Sequence, residues 1–302
     1  MARVGRDPLA WPPDRRGRIG NDFAAASGSV PGARIVTGEN AGAERGNLPA
    51  PRDGEQLRLR EVTPARVLLG RAGLGYRTAT QLRLRADHAA ARDALSVRID
   101  LDDPALAPLS RSLDILEVAT RADSLATHLA RPDLGRLLSD ESVERIRSGC
   151  APDMDLQILV GDGLSPQAVI TQVPLLLPLL IAGAEARGLS VGRILFVRHC
   201  RVGVLNDIGE VLAPRAVVLL VGERPGLATA ESLSAYLAWQ PRSGHTDADR
   251  NLISNIHVDG VGISDAVTRI LDFLGEFRLR DRSGFTIKEP ARPGTGRTVQ
   301  ER

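Results

Sequence analysis

Six consecutive apolar residues, Ala216 to Val221, run straight into Gly222-Glu223-Arg224-Pro225-Gly226. A run this short, with no polar alternation, suits a strand covered on both faces. Two glycines and a proline then end the strand and leave a carboxylate beside a guanidinium in the loop. In an open parallel sheet, ligands bind at the loops that follow the carboxyl ends of the strands. Glu223 therefore stands where a binding site is expected.

The neighbouring sequence supports that placement. Leu156 to Val160 reads as a strand, Gly161-Asp162-Gly163 as a turn, and Ser165 as the cap of a helix with Pro166 at its first position, where proline costs least. That helix is expected to reach about Arg187, kinked or interrupted at Pro174 and Pro178. Ile194 to Val197 follows as a strand, Asn206 to Leu212 as a short helix, Ala216 to Val221 as the third strand and Leu233 to Trp239 as a fourth. Ser264 is expected to cap a last amphipathic helix through Leu279. Alternation of this kind predicts an α/β fold built on a doubly wound parallel sheet.

The rest of the 302-residue chain divides around this core. Residues 1–60, rich in Gly, Pro, Ala and Arg, have no sustained apolar period and predict a flexible extension. Residues 61–150 predict a small accessory α/β region facing a partner. Within it, Arg66 to Leu69 leads to Gly70, Gly73 and Gly75, and a helix begins at Thr78 or Thr80, either of which could cap it. The glycines read G-x-x-G-x-G, which is not the order of the dinucleotide fingerprint, so a connecting turn is favoured over a phosphate cradle. Asp87-His88 and Arg92-Asp93 form a charged helix face, solvated or docked on a partner. ILEVATRA resembles a strand, RPDLGRLL a connector, and SDESVERIRSG a short helix capped by Ser139, with acids where the helix dipole favours them. The main domain is expected over 151–285 and a loose tail over 286–302.

Several function classes are disfavoured. Net charge is only +2, aromatics are 3%, and the 39 basic residues, all arginine except Lys288, are interspersed with 37 acids; this is not a nucleic-acid surface. Val173 to Ala182 is short and carries two prolines, so no membrane span is expected, and no signal peptide is expected near Met1. Cys150 and Cys200 suggest neither a zinc site nor a redox pair, and fit a reduced, cytoplasmic protein. His88, His128, His199, His245 and His257 show no paired ligand spacing, so no metal site is expected. Asn255-x-His257-x-x-Gly260 approaches a cobalt-ligating histidine signature, but an Asn replaces its leading acid, and His257 is read as non-ligating. Asp162 and Ser165 invite an acid and nucleophile reading, yet no histidine base lies close in sequence and a helix cap explains the serine.

TPARVLLGRAGLGYRT, ADHAAARDAL, LARPDLGRLL, DLQILVGDGLS, RVGV with DIGE, LLVGERPGL with AESLSAY, and DRNLISNIH together resemble the light (small) chain of ethanolamine ammonia-lyase, from about Val62 to about Leu279. The resemblance implies a subunit of an adenosylcobalamin-dependent carbon–nitrogen lyase that converts ethanolamine to acetaldehyde and ammonia. It implies a hetero-oligomer in which a heavy (large) chain carries the substrate site and a Rossmann-like light chain closes the cobalamin pocket. It assigns no catalytic residue to this chain. By position in the motifs it assigns cofactor contacts to Val202, Glu223 and Leu252; the last departs from the family, which carries cysteine there. Related enzymes are often packed in a bacterial microcompartment through an amphipathic N-terminal helix. Pro8, Pro12 and Pro13 interrupt any such helix here, so a cytoplasmic location is expected. Two other readings remain: a nucleotide-dependent oxidoreductase, and a structural subunit that does not touch the cofactor.

Overall fold

The computed structural model describes residues 71–226 and 229–289. The extension expected over 1–60, the segment at Arg66 to Leu69, and most of the expected tail lie outside them.

The described chain begins with a two-residue hairpin, β1 (Arg71–Ala72) and β2 (Gly75–Tyr76), turning at Gly73, whose φ is +61°. The glycine cluster thus makes a hairpin turn, where a left-handed φ favours glycine. Helix α1 (Thr78–Ala94) follows, with Arg77 at its N-cap position and no side-chain cap, so neither threonine caps it. Of its 17 residues only Thr80 and Ala94 are buried. Helix α2 (Ala107–Ser112), strand β3 (Leu116–Ala119), helix α3 (Leu125–Ala130) and helix α4 (Asp140–Gly149) come next. The Ser139 hydroxyl accepts the Ser142 N–H, as expected of a cap.

The core unit runs β4 (Leu156–Gly161), α5 (Pro166–Glu185), β5 (Leu195–Arg198), α6 (Val204–Leu212), β6 (Ala216–Gly222), β7 (Leu233–Trp239), β8 (Arg250–Ile256) and α7 (Ile263–Arg280). One mixed sheet results, in the order β3-β5-β4-β6-β7-β8. β3, β5, β4 and β6 are parallel; β7 pairs antiparallel with β6, and β8 antiparallel with β7. β3, expected in the accessory region, is the edge strand beside β5.

The sequence predicts a parallel sheet, and at β7 the structure departs from it for a reason of chain length. A parallel crossover needs a dozen or more residues, usually a helix. The link between β6 and β7 holds no helix among its described residues and returns directly, as a hairpin does. β8, inside the DRNLISNIH motif, was not expected as a strand; it is the last strand of the sheet, and Leu252, Ser254 and Asn255 on it are exposed.

Every residue of β4 and of β6 is buried because helices cover both faces. On one side α5 and α7 pack against residues such as Ile158, Val218, Leu237 and Ile253. On the other, α6 brings Val204, Leu205 and Ile208 onto Leu159, Val217 and Leu219, and α4 adds Ile146. Helix α7 places Ala266, Val267, Ile270, Leu274 and Phe277 at the three- and four-residue spacing of one face. Its N-cap position is Gly262, with no side-chain cap, so Ser264 lies inside the helix.

Helix α5 is continuous through Pro174 and Pro178. The prolines stand four residues apart on its outer side, where Pro178 is exposed, so the carbonyls they leave unpaired can be hydrated instead of breaking the helix. By length and composition alone α5 could cross a bilayer, but here it is a core helix that buries Val169, Val173, Leu176, Leu177 and Leu180.

Candidate functional site: a pocket at the strand carboxyl ends

β4 leads through α5 to β5 on one side of it, and β5 leads through α6 back across β4 to β6 on the other. The chain reverses its winding there, and the loops after these strands leave a crevice. It holds a cavity of about 360 Å³ lined by Gly163, Cys200, Val202, Glu223, Tyr236 and Leu252, among others. Val202, Glu223 and Leu252, which come from three separate segments of the sequence, thus meet in one pocket.

Glu223 is held before any ligand arrives. Its Oε2 accepts the Ser232 hydroxyl at 2.8 Å, and its Oε1 accepts the Ser234 hydroxyl at 2.7 Å and the Asn255 backbone N–H at 2.8 Å. Its partners are therefore the two serines of the ESLS motif and the end of β8, and not the adjacent Arg224. The serines, two residues apart, point to the same side, as alternate residues of an extended chain must. Asn255 turns its N–H to the carboxylate with φ at +61°, a region asparagine tolerates better than most residues. An ionised carboxylate offers about four acceptor sites. Three are used, so Glu223 can take one more donor from a ligand.

Val202 sits on the loop after β5, and Asp162 fixes that loop. The Asp162 carboxylate accepts the backbone N–H groups of His199 at 2.7 Å and Cys200 at 2.9 Å, while His199 adopts a φ of +53°. The side chain of Thr120 also donates to the His199 carbonyl at 2.9 Å. His128, 1% exposed, lies between two loops, its Nδ1 3.0 Å from the His199 carbonyl and its Nε2 3.1 Å from the Gly163 carbonyl. Burial, then the Arg201 guanidinium, push its pKa below the usual histidine value, against an opposing pull from Asp162 and the two carbonyls. Ser165 is the helix cap: it accepts the Ala168 N–H and donates its hydroxyl to the Ala230 carbonyl. Asp162 and Ser165 thus both serve the loops of the site.

Leu252, 45% exposed, gives the pocket an apolar wall from β8. Tyr236 stands beside it on β7, its hydroxyl pKa raised by burial and then by Asp247 and Glu223. Cys200 is buried, and burial holds its thiol well above the ordinary value, so it is packing and not a nucleophile. His257 is also buried. Its Nδ1 accepts the Asp259 N–H, which leaves the proton on Nε2 to be donated to Asn255 Oδ1 at 2.7 Å. Among the described residues no group of three or more His, Cys, Asp or Glu is placed to hold a metal ion. Ser232, Ser234 and Asn255 are the site residues the sequence expectations missed, with the serine alternation in ESLS as the available signal; Asp162, weighed there as an acid, holds the loop after β5 instead.

An α/β sheet with a preset carboxylate and apolar walls at its switch point is an arrangement suited to binding a ligand. A model of the family "Ethanolamine ammonia-lyase light chain (EutC)" matches residues 53–288. The ethanolamine ammonia-lyase small subunit of Listeria monocytogenes is 41% identical over 240 residues, covering 80% of each chain. That of Clostridium perfringens is 42% identical over 240 residues, 80% of this chain and 79% of its own. That of Fusobacterium nucleatum is 38% identical over 234 residues, 78% and 77%. The chain belongs to the ethanolamine ammonia-lyase light chain family, and so is a subunit of a lyase.

Proposed function

We propose that this chain joins a large subunit to form an adenosylcobalamin-dependent ethanolamine ammonia-lyase, and that its Rossmann-like sheet forms one wall of the cofactor pocket. The observation that supports this reading most strongly is that Val202, Glu223 and Leu252 converge on one cavity.

The residues present suit a corrinoid. Its rim carries amide side chains, which are hydrogen-bond donors, and Glu223 is a rigidly held acceptor with a site to spare. Val202 and Leu252 offer apolar surface to pack on the ring system. At about 360 Å³ the cavity lies at the small end of the range for drug-sized ligands, so this chain alone covers only part of so large a group. A partner must supply the rest. Helix α1 is consistent with such a partner, since a 17-residue helix with two buried residues gains little from packing on its own chain. This makes the accessory region around it the candidate face for the large subunit.

When bound, adenosylcobalamin supplies radical chemistry; the protein's task is to orient it and exclude water. Here Glu223 fixes an edge of the ligand, Val202 and Leu252 keep water from its face, and Asp162 and His128 hold the loop that carries Val202. The substrate site and its specificity lie with the large subunit.

Co-expression with the large subunit tests the proposal. The purified complex is expected to release acetaldehyde from ethanolamine only when adenosylcobalamin is added, and the large subunit alone to release little. Equal rates with and without this chain would reject it. Saturable binding of a nicotinamide nucleotide to the purified chain would favour an oxidoreductase instead.

A further inference from the structure

A second cavity, of about 580 Å³, adjoins the first and shares Arg201, Val202 and Tyr236 with it. Arginines dominate its charge. Arg250, its side chain 5% exposed, is already neutralised by Asp247 at 2.5 Å and donates to Asn206 Oδ1 at 3.0 Å. Asp207, the other acid of the lining, is occupied by the Leu138 N–H at 2.8 Å. Arg136 and Arg201 are different: neither forms an ion pair among the described residues, and burial, then the neighbouring Arg136 guanidinium, push the Arg201 pKa below its usual value.

That juxtaposition is built into the backbone. The Arg201 stem crosses Gly135, where an added Cβ would lie 2.6 Å from its Cγ, and the Arg136 stem crosses Gly203, where the distance would be 2.7 Å. Each arginine thus crosses a glycine within two residues of the other, and only residues without a side chain allow both stems so close. Arg201 is further anchored by donating to the His128 carbonyl at 2.7 Å. Two like charges held side by side, neither of them in an ion pair, form a receptor for an anion, and guanidinium forks match the oxygens of a phosphate group.

We infer that Arg136 and Arg201 hold the phosphodiester of the ligand whose ring system lies in the adjoining pocket, so that this chain recognises the nucleotide tail as well as the rim of the corrinoid. The inference rests on the cobalamin reading above and adds to it an anion site on the far side of Val202.

The test measures equilibrium binding, from the visible absorption spectrum, of adenosylcobalamin and of adenosylcobinamide, which lacks the tail, to the assembled two-subunit complex. Arg136 is exposed, so Arg136→Gln should fold. It is expected to weaken adenosylcobalamin by at least about tenfold, the scale of a lost charge-assisted hydrogen bond, while leaving adenosylcobinamide within about twofold. An unchanged affinity for adenosylcobalamin, or an equal loss for both, would overturn the inference. So would failure of the variant to assemble, which would show that the arginine pair meets a carboxylate of the large subunit. If the wild-type complex bound neither corrinoid, the cobalamin reading itself would fail, and this inference with it.

Discussion

Glu223→Gln separates the charge of the central carboxylate from its shape. With the amide oxygen in place of Oε1, the Ser234 hydroxyl and the Asn255 N–H, at 2.7 and 2.8 Å, keep an acceptor. The amide nitrogen then faces the Ser232 hydroxyl, at 2.8 Å from Oε2 in the native chain, which can rotate to accept. All three contacts survive as neutral ones. A hydrogen bond to a charged group contributes about 1.5–3 kcal/mol and a neutral one about 0.5–1.5. Three weakened bonds, at about 1 kcal/mol each, therefore cost about 3 kcal/mol at most, and less here because water reaches part of the group. Denaturant unfolding of the isolated chain should show a lower midpoint with an unchanged slope, equivalent to a loss of about 1–2 kcal/mol. In the assembled complex the fourth acceptor site is lost as a charged one, and adenosylcobalamin affinity should fall by about 1–3 kcal/mol, about 5- to 150-fold. A variant with native stability and native cofactor affinity would refute the reasoning. Glu223→Ala is the poorer probe, because it strands two buried hydroxyls and confuses folding with binding.

Other outcomes follow from the same geometry. Leu252→Cys should leave cofactor affinity within about threefold, since the residue acts by packing; a tenfold gain would reveal a contact that needs sulfur. The pKa of His128 is depressed by burial and by Arg201, so acid should destabilise the fold: the unfolded histidine binds a proton near its usual value of about 6.5 while the folded one resists. Stability should be fully present above that value and fall below it, by no more than about 1.4 kcal/mol per pH unit, with His128→Gln removing that slope. Asp162, Arg201 and the His199 ring, 5.9 Å away, all face this group. Stability that rises on acidification would instead show an imidazolium donating to both carbonyls. Amides of α1 should exchange rapidly in the isolated chain and become protected in the complex; equal exchange in both states would remove α1 from the interface.

Much of the sheet could be read from the chain because its strands are covered on both faces. Ala216–Val221 is an uninterrupted apolar run and Leu156–Val160 is broken only by Gln157, and the caps at Ser139 and Ser165 use side chains whose chemistry is local. Direction was less legible. β7 looks like any buried strand, and only the shortness of the link between Gly222 and Leu233 indicates that it turns back. β8 carries Asn251, Ser254 and Asn255 because it lies at an edge beside a pocket, and those polar residues hid it as a strand. The position of Glu223 was legible from the glycine-bounded loop, whereas its three partners were not, since two lie on the returning β7 segment and Asn255 reaches it from β8, beyond β7.

The central claim is that this chain forms part of the wall of a corrinoid pocket. Its most direct test is a structure of the two-subunit complex loaded with adenosylcobalamin. The account predicts a Glu223 oxygen within about 2.7–3.2 Å of a donor on the corrinoid, with Val202 and Leu252 against the ring. A corrinoid enclosed by the large subunit alone, with no atom of this chain within about 4 Å, would contradict it.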